Sequence, residues 1–134
     1  MITHHEALIS VMVLASAADR HMSSNELARM ADMVAHLPIF ADFERKNIPN
    51  ATSKCAETLA HDEGIEMLMA EILTALPPKL RETAYALACD IVAADGRVAN
   101  EEMEILEVIR HRLSIDRLIA AGIERGARAR HTKL

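Results

Sequence analysis

Apolar residues recur every three to four positions along most of the chain, the spacing of one face of an α-helix. Two stretches are apolar nearly all round. The first, about 3–18, carries Leu8, Ile9, Val11, Met12, Val13 and Leu14; the second, about 79–94, carries Leu80, Ala84, Leu87, Ala88, Ile91 and Val92. A helix without a polar face is one its neighbours cover, so both predict buried helices. Elsewhere the pattern is amphipathic. Leu27, Met30, Val34 and Leu37 form the inner stripe of a helix that Pro38 stops, and Ser23 with Glu26 fits a capping box at its start. Asn50 and Asp62 are placed as N-caps for short helices at about 51–60 and 63–75. Leu76-Pro77-Pro78 ends that run, and Pro78 suits the first position of the next helix. Ile105, Leu106, Ile109 and Leu113 mark the inward face of a later helix, after which Ser114 is placed to cap a last one carrying Ile115, Leu118, Ile119 and Ile123. No period-2 stretch bounded by hairpin turns occurs. The pattern predicts an all-α protein of seven or eight helices.

Self-similarity adds organisation to this picture. Ala17-Ala-Asp-Arg-His-Met-Ser-Ser-Asn-Glu-Leu27 aligns without gaps on Ala93-Ala-Asp-Gly-Arg-Val-Ala-Asn-Glu-Glu-Met103, 76 residues on. The register persists, with Met30/Leu106, Met33/Ile109 and Leu37/Leu113 in corresponding places. The repeat covers about 8–37 and 84–113. Each copy reads as a buried helix, an Asp at its end, a short loop and a second helix with Glu in its first turn. The expected architecture is one domain over residues 1–134, in two pseudo-symmetric helix–acidic loop–helix halves.

Composition narrows the functional classes. At 134 residues, 51% hydrophobic and 26% charged, the chain has the make-up of a globular domain with its own core. That core must be aliphatic, since there is no Trp, one Tyr (Tyr85) and two Phe (Phe40, Phe43). The net charge of −5 repels phosphates, and so few aromatics leave no stacking platform, which argues against nucleic acid. The basic tail, Arg125, Arg128, Arg130 and Lys133, reads either as an RNA or acidic-partner contact or as cations complementing the dipole of a last helix. Cys55 and Cys89 are well separated and lack a CxxC context, which predicts buried, reduced thiols. The start lacks signal-peptide character, and no apolar run reaches the roughly 20 residues of a membrane span. These features predict a cytoplasmic protein without membrane insertion.

The duplicated loops hold the candidate chemistry. An anion at the C-terminal end of a helix faces the negative end of the dipole, at a cost of roughly 0.3–1 kcal/mol that something must offset. Two readings compete. In one, Asp19 and Asp95 accept backbone N–H groups of the following loop while Glu26 and Glu102 close capping boxes. In the other, loop carboxylates and carbonyls hold a hard divalent cation, Ca²⁺ or Mg²⁺, which takes six or more oxygens. The second copy favours a site more, because Gly96 replaces Arg20 and because Asn100, Glu101 and Glu102 together bring three oxygen-bearing side chains. Neither loop has the twelve-position spacing of an EF-hand. Asp90 stands where the first copy has Leu14 and is expected to face solvent or an Arg. The seven His include no HExxH, and His4-His5 is at most an adventitious Ni²⁺ or Zn²⁺ site. The eight Met fit core filling at helical spacing. No nucleophile elbow, Walker loop, dinucleotide-binding loop or zincin motif occurs, so no enzymatic activity is expected.

The twice-occurring Ala-Ala-Asp-(Gly)-x-φ-x-x-x-Glu pattern at a helix junction resembles the tellurite-resistance TerB family. Leu-Pro-Pro-x-Leu-Arg-Glu-Thr-Ala at 76–84 and Ile-Glu-Arg-Gly-Ala-Arg-Ala-Arg-His at 123–131 extend the resemblance over most of the chain. It implies an all-α fold of about seven helices and a bacterial stress response to tellurite and other toxic agents, exercised in metal-related protein complexes near the membrane. The family's acidic loop residues map onto Asp19, Glu26, Asp95 and Glu102, with Arg20 departing from the usual Gly. The first functional expectation is therefore a stress-response protein binding a divalent cation through its loops. The alternative is a metal-free helical adaptor that recruits protein partners.

Overall fold

The structure, a computed structural model, describes residues 2–16, 24–94 and 100–134. Seven α-helices follow one another within these segments: α1 His4–Ser16, α2 Ser24–His36, α3 Ile48–Leu59, α4 Gly64–Ala75, α5 Arg81–Ala93, α6 Asn100–Arg112 and α7 Arg117–Arg130. Single 3₁₀ turns at Pro38–Phe40, Arg45–Asn47 and Pro78–Leu80 connect them, and no strand occurs among the described residues.

The two helices that lack a polar face make the centre. In α1, Leu8, Ile9, Val11 and Met12 have no solvent exposure. The helix packs most extensively on α5 and also touches α2, α3, α4 and α6. Its buried Ser16 hydroxyl donates back to the Met12 and Val13 carbonyls at 3.2 and 3.0 Å, so the helix's own backbone accommodates it. In α5, Ala84, Tyr85, Leu87, Ala88, Cys89, Ile91 and Val92 are all buried. Buried side chains from every helix join these in one contiguous core. None of the described helices is long and apolar enough to cross a membrane.

Helices α2 and α6 begin 76 residues apart, at Ser24 and Asn100, and end 76 apart, at His36 and Arg112, which is the offset of the sequence repeat. Burial follows it only in part. Met30, Met33 and Val34 are buried, but Leu27, expected on the inner stripe, is 49% exposed, as is Met103 in the corresponding place at 59%. The inward arc on α2 is narrower than hydropathy implied, with Glu26 inside and Leu27 outside.

The expected caps need correction at three places. Helix α3 begins at Ile48 with Pro49 in its first turn, so Asn50 lies inside the helix; a 3₁₀ turn feeds it directly and no side chain caps it. Helix α4 starts at Gly64 after Glu63, again without a side-chain cap, and Asp62 lies in the preceding turn. The last helix is capped by Asp116, whose Oδ2 accepts from the Leu118 and Ile119 amides at 3.0 and 3.4 Å. Ser114 instead terminates α6 in a left-handed conformation, φ 57°. Its amide donates to His111 O and that of Ile115 donates to Arg110 O, the bond pair of a Schellman ending. The capping box at Ser23 lies outside the described residues.

His5 is buried, so it is no surface chelate with His4. Its Nε2 lies 2.8 Å from the Ile39 carbonyl, to which it donates, and 3.1 Å from Asp42 Oδ1. Its ring packs against Phe40 and Phe43, which ties α1 to the turn after α2.

Candidate functional site

The acidic-loop residues divide into those whose places are defined and those whose places are not. Asp19 and Asp95, with Arg20, His21 and Gly96, lie outside the described residues. Glu26 and Glu102 are each the third residue of their helices, α2 and α6, and both are buried, at 2% and 8% exposure. Neither is free of interactions in the fold. Two carboxylates at corresponding positions of a repeat, both taken out of water, is a costly arrangement unless each is compensated. A first-turn position contributes part of that compensation, because the amide end of the helix favours an anion. Asn100 and Glu101, by contrast, are exposed. Among the described residues, no three or more His, Cys, Asp or Glu side chains are grouped to hold a metal ion.

Asp90 meets the cation expected for it. Its Oδ1 accepts from Arg130 Nη2 at 2.7 Å and lies 3.5 Å from His131 Nε2. The cation at the end of α7 is therefore partly committed inside the molecule, joining α7 to α5.

A second feature escaped sequence reasoning. Between α5, α6 and α7 lies a groove of about 610 Å³, within the roughly 300–1,000 Å³ range of small-molecule sites. Tyr85, Cys89 and Val92 come from α5, Met103 and Leu106 from α6, and Glu124, Ala127 and Arg128 from α7. The Tyr85 hydroxyl donates to Glu124 Oε2 at 2.5 Å. Burial, and then the hydrogen bond to Glu124, hold the Tyr85 phenol well above its ordinary pKa. Burial likewise pushes the Cys89 thiol up to about 12, reinforced by the charges of Glu124 and Asp90 and opposed by its bond with Tyr85. Both groups are thus protonated at neutral pH. One signal was available beforehand: a lone Tyr in an otherwise apolar buried run needs a partner for its hydroxyl. That partner is 39 residues away, beyond any local pattern.

A protein-family model described as "Tellurite resistance protein TerB" matches residues 5–122. No curated protein and no solved structure matches the chain.

Proposed function

The chain belongs to the TerB family, and from that premise we propose that it is a stress-response protein that binds a divalent cation through its duplicated acidic loops. The observation that carries this reading is the burial of both Glu26 and Glu102 at the same position of the two repeats. Carboxylates at corresponding first-turn positions, each seven residues after a loop Asp in sequence, suit a hard cation that takes oxygen ligands. Glu102, with Asp95 and the side chains of Asn100 and Glu101, would supply the oxygens of the second copy; Asp19 and Glu26 would supply those of the first. A donor set of carboxylates and an amide, free of Cys, fits Ca²⁺ or Mg²⁺ better than a soft metal.

The role we assign is binding, exercised in the cytoplasm in company with protein partners of a stress-response complex. The alternative, a metal-free adaptor, draws support from the apolar side chains left at the surface near α7, Leu118 at 81% and Ile119 at 43% exposure. Titration separates the two. Ca²⁺, Mg²⁺, Mn²⁺ and Zn²⁺ are added in turn to the protein and followed by calorimetry and NMR, then again with the double variant Asp95→Asn/Glu102→Gln. Saturable binding lost in the double variant is the expected result. An absence of saturable heat below about millimolar metal, or undiminished binding by the variant, would overturn the cation reading.

A further inference from the structure

Helices α6 and α7 both pack on α5 and make little contact with one another, so the groove between them has α5 as its floor and one helix as each wall. Met103 and Glu107 of α6 and Arg128 of α7 border this same groove, and the two walls therefore open to one side of the molecule. The walls differ in charge. On α6, Glu101, Glu104 and Glu107 are exposed and, at about 100° per residue, fall within an arc of about 120°. On α7, Arg117, Arg125 and Arg128 are exposed and fall within an arc of about 80°. The acid of α7, Glu124, turns in to Tyr85 instead.

Much of this charge is unmatched inside the fold. Glu107 pairs with Arg110 at 2.6 Å, and Arg117 lies within electrostatic reach of Glu107. Among the described residues, Glu101, Glu104, Arg125 and Arg128 form no ion pair. Exposed apolar side chains stand among them, Val108 one turn after Glu104 and Leu118 two turns before Arg125. A nucleic acid or an anionic membrane suits α7 but meets the acids of α6 and a net charge of −5. A uniformly acidic protein surface is repelled by α6 in the same way, and a uniformly basic one by α7. What fits both walls is a surface with the two signs side by side. A second copy of this chain supplies one.

We propose that the protein pairs with itself through the α6–α7 face, about a two-fold axis lying along the groove. That operation sets α7 of one copy over α6 of the other and the reverse, so each contact is made twice. The other face-to-face two-fold, across the groove, sets acid on acid. Each helix is about 20 Å long and 10 Å across, so the face measures roughly 400 Å² in outline and the pair buries on the order of 800–1,000 Å² in all. That is the size of a weak, reversible contact, not of an obligate dimer.

The test is sedimentation equilibrium of the whole protein from about 20 μM to about 1 mM, in about 20 mM and about 500 mM salt. The expected result is a monomer–dimer equilibrium with a high-micromolar dissociation constant, weakened about tenfold or more by the higher salt. Two charge reversals assign the faces, Arg125→Glu/Arg128→Glu on α7 and Glu104→Arg/Glu107→Arg on α6, with circular dichroism to confirm that each variant folds. Each alone should stay monomeric, since like charges then face each other. Mixed in equal amounts they should form a heterodimer, because each wall again meets its opposite. Both variants keep a net negative charge, since a change of four either way leaves −5 below zero, so net attraction cannot account for the pairing. The α6 reversal leaves Glu101 and Glu102 in place, so cation binding and self-pairing fail separately. A monomer at about 1 mM in low salt would overturn the proposal. So would dimers of either variant alone, a mixture that stays monomeric, or growth beyond the dimer, which a closed two-fold forbids.

Discussion

Cys55 and Cys89 are both nearly out of solvent, at 2% and 3% exposure. Burial pushes their thiols from an ordinary value of 9.0 to about 11 and about 12. The consequence for stability has a definite sign. Above pH 9 the unfolded chain loses these protons while the native protein keeps them, so stability is complete below pH 9 and falls as pH rises toward 12. The slope approaches about 1.4 kcal/mol per pH unit for each thiol. Urea unfolding under reducing conditions should show this decline between about pH 9 and 11, and the double variant Cys55→Ala/Cys89→Ala should flatten it, leaving a smaller slope from Tyr85. A wild-type profile level to about pH 10.5 would contradict the assignment. The buried, reduced state of both cysteines was legible from their spacing. The pairing of Tyr85 with Glu124 was not, because a hydrogen bond across 39 residues is chosen by helix packing rather than by neighbours in sequence.

Helix ends show the same divide. The hydropathy period placed α1, α2, α5, α6 and α7, break signals around Pro49 and Asp62 placed α3 and α4, and Pro38, Pro77 and Pro78 punctuated the chain because proline constrains the backbone wherever it stands. Caps were less legible, since several residues near a boundary can serve and the packed backbone selects one: Asp116 rather than Ser114 at α7, and no side chain at α3 or α4. The start of α4 is set by a close approach instead. A Cβ on Gly64 would lie 2.7 Å from the Leu59 Cα, the Leu59 oxygen and the Thr58 oxygen. These are backbone atoms at the end of α3 and cannot swing aside. Gly64→Ala gains helix propensity of up to about 1 kcal/mol, yet the clash should outweigh it, and overpacking of this kind costs roughly 1–3 kcal/mol. Thermal unfolding should therefore show a lowered Tm, and an unchanged or raised Tm would mean that α3 and α4 separate at little cost.

At the scale of the whole molecule, α1 is the element on which the others converge, touching α2, α3, α4, α5 and α6. Met12 at its middle has no exposure. Met12→Ala should cost roughly 2–5 kcal/mol, a large share of the roughly 5–15 kcal/mol that holds a domain together. Because every neighbour shares that core, the loss should leave a single transition. Far-UV circular dichroism and the fluorescence of Tyr85, the sole Tyr in a chain without Trp, should report the same midpoint. Separate midpoints would show that α5 and α7 unfold independently of α1.

The sequence by itself determined the helical class, the two buried helices, the repeat offset that α2 and α6 share, and the family. All of these follow from local periodicity or from residue order, which need no knowledge of what lies across the core. Only the tertiary structure decided that Glu26 turns inward while Leu27 faces water, that His5 closes on the turn after α2, and that α5, α6 and α7 enclose a groove where Tyr85 meets Glu124. Each of these depends on which helix faces come together, and hydropathy ranks residues without saying which neighbour will cover them.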